Sequence, residues 1–191
     1  LTFLESPPDY WQNLQRLEIE DLFTEKCVEL VETATNIEEL TLTLQSGVIP
    51  DIQFENLQLR KLVVHCNTMD LNDLNDLIMP FAKTLVHLEL MLWGNEPFQT
   101  HALSKCIHLE TLIMRNTPAL PYVVRWLSKL PLTHLDLDNF NLNPIKKWPV
   151  GLRILKLTPT ERIQTNTLVT LFKQCTRLQE LALNTDSMYG L

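Results

Sequence analysis

The sequence predicts an α/β solenoid, a horseshoe with a parallel concave sheet of about eight strands and helices or irregular segments on its convex side. Three observations predict it. The skeleton L-x-x-L-x-L recurs, most plainly in Leu132-Thr-His-Leu135-Asp-Leu137. Its copies begin at Leu14, Ile37, Leu59, Leu85, Leu109, Leu132, Leu152 and Leu178, spaced by 23, 22, 26, 24, 23, 20 and 26 residues. Between several copies, apolar residues fall at helical spacing. A unit of that length cannot bury its apolar face alone, so neighbouring units stack. One stack without an internal linker makes residues 1–191 a single domain.

In chain order, Pro7-Pro8 forbids a continuous helix or central strand ahead of the first copy. Phe3, Leu4, Tyr10 and Trp11 are read there as cover for the end of the core. After the first strand, Thr24 to Thr35 carries Phe23, Cys27, Val28, Val31 and Ala34 at helical spacing, with Thr24 as N-cap. The second return, around Gly47 to Ile52, has no helical period and is read as irregular. The third, Asp70 to Lys83, is a helix with the stripe Leu71, Leu74, Leu77, Ile78 and Phe81, ended or bent by Pro80. Pro97 opens the fourth return, with Phe98, Ala102 and Leu103 inward. Pro121 opens the fifth, with Val123, Val124, Trp126, Leu127 and Leu130. The sixth, Asn143 to Pro149, is too short for a full helix. The seventh is a helix near Asn166 to Gln174, apolar at Leu168, Leu171 and Phe172. The eighth strand ends near Asn184 with no helix to complete its unit. The uncovered edge and the absence of an initiator Met are read as signs of a longer natural chain.

Composition narrows the function. No apolar run reaches the roughly 20 residues that span a bilayer, so no membrane partner is expected. Cys27, Cys66, Cys106 and Cys175 are too widely spaced for a disulfide framework or a CxxC metal pair. They are read as reduced, buried thiols of an intracellular protein, cytoplasmic or nuclear. The formal net charge of −7 argues against broad phosphate-backbone binding.

Strand side chains alternate faces, so the Leu positions enter the core and the residues between them project from the concave face. Equivalent positions on strands about 4.8 Å apart form three columns. The first runs Arg16, Glu39, Lys61, His87, Thr111, His134, Ile154, Glu180. The second runs Glu18, Thr41, Val63, Glu89, Ile113, Asp136, Lys156, Ala182. The third runs Glu20, Thr43, His65, Met91, Arg115, Asp138, Thr158, Asn184. Apolar Val63, Met91 and Ile113 gather centrally, beside His65, His87 and Arg115. An apolar centre with a mixed polar rim suits a protein partner. The candidate site is Lys61, Val63, His65, His87, Glu89, Met91, Ile113, Arg115, Asp136 and Asp138. Trp93 and Phe140 follow their strands at equivalent places, and packing is the role read for both.

Catalytic readings are disfavoured. His87 and His134 stand two strands apart, roughly 10 Å, too far for joint metal ligation. Glu89 and Asp136 share that separation on an open face, with nothing to raise one carboxyl's pKa. No phosphate loop, nucleophile elbow or metal motif appears. No catalytic residue, cofactor, metal or small-molecule substrate is expected.

The eight copies are similar to the leucine-rich repeat family over essentially the whole chain. Two carry a longer phrase: Cys106-Ile-His-Leu109-Glu-Thr-Leu112-Ile-Met114 and Cys175-Thr-Arg-Leu178-Gln-Glu-Leu181-Ala-Leu183. Both resemble the intracellular, helix-containing class found in F-box leucine-rich repeat proteins. That resemblance implies a substrate-recruiting arm, with an upstream F-box docking on a cullin-type ubiquitin ligase. Two alternatives are RNA or nucleoprotein binding, which needs basic columns where acids here outnumber Lys and Arg, and a structural subunit docked through its C-terminal edge.

Overall fold

The computed structural model describes residues 9–20, 31, 33–44, 57–67, 71–93, 101–116, 126–140, 142 and 145–184. Among these lie eight strands: β1 (Arg16–Glu20), β2 (Glu39–Leu44), β3 (Lys61–Cys66), β4 (His87–Leu92), β5 (Thr111–Arg115), β6 (His134–Phe140), β7 (Ile154–Pro159) and β8 (Glu180–Leu183). They form one open parallel sheet in the order β1 to β8, an α/β arrangement with few helices. No described helix is long and apolar enough to cross a membrane.

Each strand is seated on its predecessor by the same device. The carbonyl of the residue after the repeat's first Leu (Ile in one copy) accepts two consecutive N–H groups of the next copy. Gln15 O thus receives Glu38 N and Glu39 N at 2.8 and 3.0 Å, and Arg153 O receives Gln179 N and Glu180 N at 2.8 and 3.0 Å. All seven strand-to-strand steps repeat this pattern. It locks the register in which Leu17, Leu40, Leu62, Leu88, Leu112, Leu135, Leu155 and Leu181 stand side by side. Most of that row is fully buried. Burying a Leu side chain contributes about 1.5–3 kcal/mol, so the row and its partner two residues on dominate the core.

The return segments close the other side. Helix α1 (Leu71–Ile78) runs into a 3-10 turn at Met79–Phe81, where Pro80 removes a donor and ends the α geometry. Leu74, Leu77, Ile78 and Phe81 are buried as their spacing predicts. The fourth return contains a 3-10 turn, Ala102–Lys105, with Ala102 and Leu103 buried. In the fifth, Leu127 and Leu130 are buried and Trp126 is half-buried. The sixth is non-helical over 145–149 and buries Ile145 and Trp148. Two side-chain amides suture neighbours: Asn75 Oδ1 accepts from Ala102 N (3.0 Å), and Gln174 Oε1 accepts from Trp148 N (2.7 Å). The readings at residues 1–8, 47–52, 97–98 and 121–125, and the helix start at 24, lie outside the described residues. Val31 and Ala34 from that first return are buried.

Two packing expectations are corrected. Helix α2 (Thr165–Gln174) buries Thr167 and Leu171, with Cys175 one turn on and Leu168 only partly covered, whereas Phe172 is 55% exposed. One residue is a 100° step, and Phe172 lies beyond the buried stripe. Trp93 and Phe140 also part company: Trp93 is 50% exposed and Phe140 1%. Asn139 has φ 63°, the left-handed region that Asn tolerates, and β6 is bulged between Asp138 and Phe140. The extra residue turns Phe140 into the inward place that Leu44, Cys66 and Leu92 hold on their strands. Without a bulge after β4, Trp93 falls one step later and faces out.

Candidate functional site

The ten candidate residues occupy four consecutive strands, β3 to β6, and the register brings them together. Val63, Glu89, Ile113 and Asp136 are successive partners in the middle column. Lys61 is beside His87 in the first column, and His65, Met91 and Arg115 are consecutive in the third. Each projects from the face opposite the core because its neighbours in sequence are the inward Leu, Val or Met residues.

The apolar centre is less open than its pattern suggests. Val63 is 7% exposed and Ile113 9%, yet neither belongs to the buried cluster of the core. Each lies between two neighbouring strands of the sheet, Val63 between β2 and β4 and Ile113 between β4 and β6. The expectation that all three are displayed is therefore corrected: Val63 and Ile113 are covered, and Met91 alone of the three is partly open.

Charges on this face are largely committed to one another. Arg115 Nη2 lies 3.6 Å from Asp136 Oδ2. Glu39 Oε2 sits between Arg16 Nε (3.8 Å) and Lys61 Nζ (3.9 Å), and Lys156 Nζ meets Glu180 Oε1 at 3.6 Å. All four Lys and Arg of the columns thus face a carboxylate. Lys61 is turned toward β2, away from the centre. Glu18, Glu20 and Asp138 form no ion pair with a described residue, so the face carries excess negative charge. Its central residues are half-buried and the pairs are worth about 1 kcal/mol or less each, so they orient side chains more than they stabilise the fold.

His87 lies at the inner edge of this arrangement, with Nε2 4.0 Å from Glu89 Oε2. Burial, then the positive charge of Lys61, lowers its pKa, while Glu89 pulls it up. The ring is therefore held neutral near pH 7. Nε2 of His65, His87 and His134 is enclosed without a hydrogen-bond partner. No group of three or more His, Cys, Asp or Glu among the described residues is arranged to hold a metal. Cys66, Cys106 and Cys175 are buried and form no disulfide with one another. Burial pushes the Cys106 thiol up to about 12 and Cys175 up to about 11, so both are protonated at neutral pH and poor nucleophiles.

Selecting by apolar content missed part of the face. A depression of about 310 Å³ continues past Arg115, Asp136 and Asp138 onto Lys156, Thr158 and Asn184 of β7, β8 and their ends. The columns already contained those residues; their distance from the apolar members on β3 to β5 kept them out. No known family matches the chain in sequence, and neither does any curated protein.

Proposed function

We propose that the concave face of β3 to β8 docks a protein partner and that the molecule is a recognition scaffold. The observation that carries this reading is the continuous face itself. Eight parallel strands, in register but for the bulge at the end of β6, raise three columns of side chains, with covered apolar residues on β3 and β5, half-open Met91, and a rim whose charges are oriented by mutual pairing. Partly desolvated Met and Arg beside covered apolar residues are the kind of group that anchors interfaces. The pairing of all four column cations with carboxylates weighs against RNA, whose phosphates need free Lys and Arg. The eightfold L-x-x-L-x-L register supports a leucine-rich repeat solenoid. By the resemblance of its Cys-containing phrases, its place is the substrate-recognition arm of an F-box ubiquitin ligase receptor, inside the cell.

The test is Met91→Asp combined with Arg115→Glu. Capture of the partner is abolished while the circular dichroism spectrum is retained. Undiminished capture by the folded double variant would remove this face from consideration. A second reading, a structural subunit docked along β8, is favoured by the 41% exposure of Leu183 on that edge strand. It predicts self-association that vanishes when a capping repeat is fused after Asn184.

A further inference from the structure

We infer that the edge of the sheet where β4 to β8 begin is a docking surface for an anionic lipid bilayer, met edge-on. The whole-chain charge conceals a segregation. In each of the last five repeats, take the residues from six before to one after the first Leu: 79–86, 103–110, 126–133, 146–153 and 172–179. These segments hold eight of the 16 Lys and Arg but one of the 23 acids, Glu110. They carry +7 in a chain whose net charge is −7. All eight cations are exposed. None forms an ion pair with a described residue, unlike the four on the concave face.

A second observation places apolar tips among them. Val150 is 73% exposed and Ile107 62%, the two highest values among the exposed large apolar residues described. Both stand two residues ahead of their repeat's first Leu, each in a turn just before the strand. Lys105 flanks Ile107; Lys146, Lys147 and Arg153 flank Val150. Ile107, Val150 and Lys83 hold the same place, two residues ahead of their first Leu, and so fall in one row of the parallel stack; the other seven cations stand within four residues of that place along the chain.

A band of exposed cations around protruding aliphatic tips suits the interface of an anionic bilayer, which takes charge at its headgroups and apolar side chains just beneath. A nucleic-acid backbone would use the cations and leave Ile107 and Val150 in water. A protein partner would need pockets for the tips, whereas a bilayer needs none. The missing membrane span is no obstacle, because edge-on adsorption requires no span. The acids elsewhere are screened beyond roughly 8–10 Å at physiological salt.

Co-sedimentation of the whole chain with vesicles of phosphatidylcholine plus phosphatidylserine, against phosphatidylcholine alone, tests this at physiological ionic strength. Binding is expected only with phosphatidylserine, and it weakens as salt rises. Each cation near such a surface is worth about fivefold in partitioning, so Lys105→Gln with Lys147→Gln lowers it about 25-fold. Ile107→Ser with Val150→Ser lowers it several-fold with the salt dependence kept, and Trp93→Ser, an exposed apolar side chain just past the opposite end of β4, leaves it unchanged. Absence of binding to phosphatidylserine vesicles, or binding indifferent to both edge variants, would overturn the inference. So would tighter retention by duplex RNA or by polyglutamate that the Ile107/Val150 variant does not weaken.

Discussion

Replacing Phe140 by Ala removes a ring that is 1% exposed and held in the core only because Asn139 bulges β6. Phe-to-Ala changes at buried sites cost about 3–5 kcal/mol, the lost transfer energy plus the cavity left behind. Phe140 lies between β5 and β7, where the stack relaxes little, so the middle of that range, about 4 kcal/mol, applies. In a domain of this size that lowers the melting temperature by about 8–16 °C. Trp93→Ala removes a larger ring from the equivalent sequence position, yet it is 50% exposed and costs under about 1 kcal/mol. The assay is urea unfolding followed by circular dichroism for both variants, with hydrogen exchange to show that loosening starts at the β6–β7 step. Equal losses for the two, or a Phe140→Ala loss below about 1 kcal/mol, would refute the bulge as the reason the two aromatics differ.

Asn139→Val forces a β-branched residue to φ 63° and lowers stability by about 1–3 kcal/mol, while Asn139→Gly changes it little; denaturant midpoints of the two variants check this. The His87 pKa is lowered in the fold, so its contribution is fully present above the ordinary value of 6.5 and is lost as pH falls through the folded value. Melting temperature recorded from neutral pH downward declines below 6.5, and His87→Gln flattens that decline. For Cys106 the direction is opposite: its contribution is present below 9.0 and is lost as pH rises from there toward about 12. At pH 8 a thiol reagent modifies Cys106 and Cys175 slowly in the folded chain and rapidly in denaturant.

All eight strands and their register could be read from the sequence because one period sets both the buried row and the column beside it. Helix α1 was equally legible, since a five-residue stripe and Pro80 agree. Features that depend on neighbours across strands were not. Val63 and Ile113 alternate correctly for the concave face, but each is flanked by strands on both sides and is covered, which alternation along one strand cannot report. The bulge did leave a trace: Phe140 follows Leu137 by three residues where Leu44 follows Leu42 by two, with Asn between. Phe172 was misplaced because Leu168, Leu171 and Phe172 form as good a helical stripe as Thr167, Leu171 and Cys175, and the polar Thr lost the comparison. The basic edge was hidden by averaging, because net charge sums the +7 of the last five repeats' margin with the acids of the rest of the chain.

The recognition claim rests on the concave face, and a photo-crosslinking residue at position 91 tests it most directly, with the same residue at 169 on exposed α2 as control. The account predicts that a protein partner is crosslinked through position 91, not through 169, and that the crosslink disappears when Arg115→Glu is added. Crosslinking through 169 alone, or through 91 undiminished by Arg115→Glu, would contradict it.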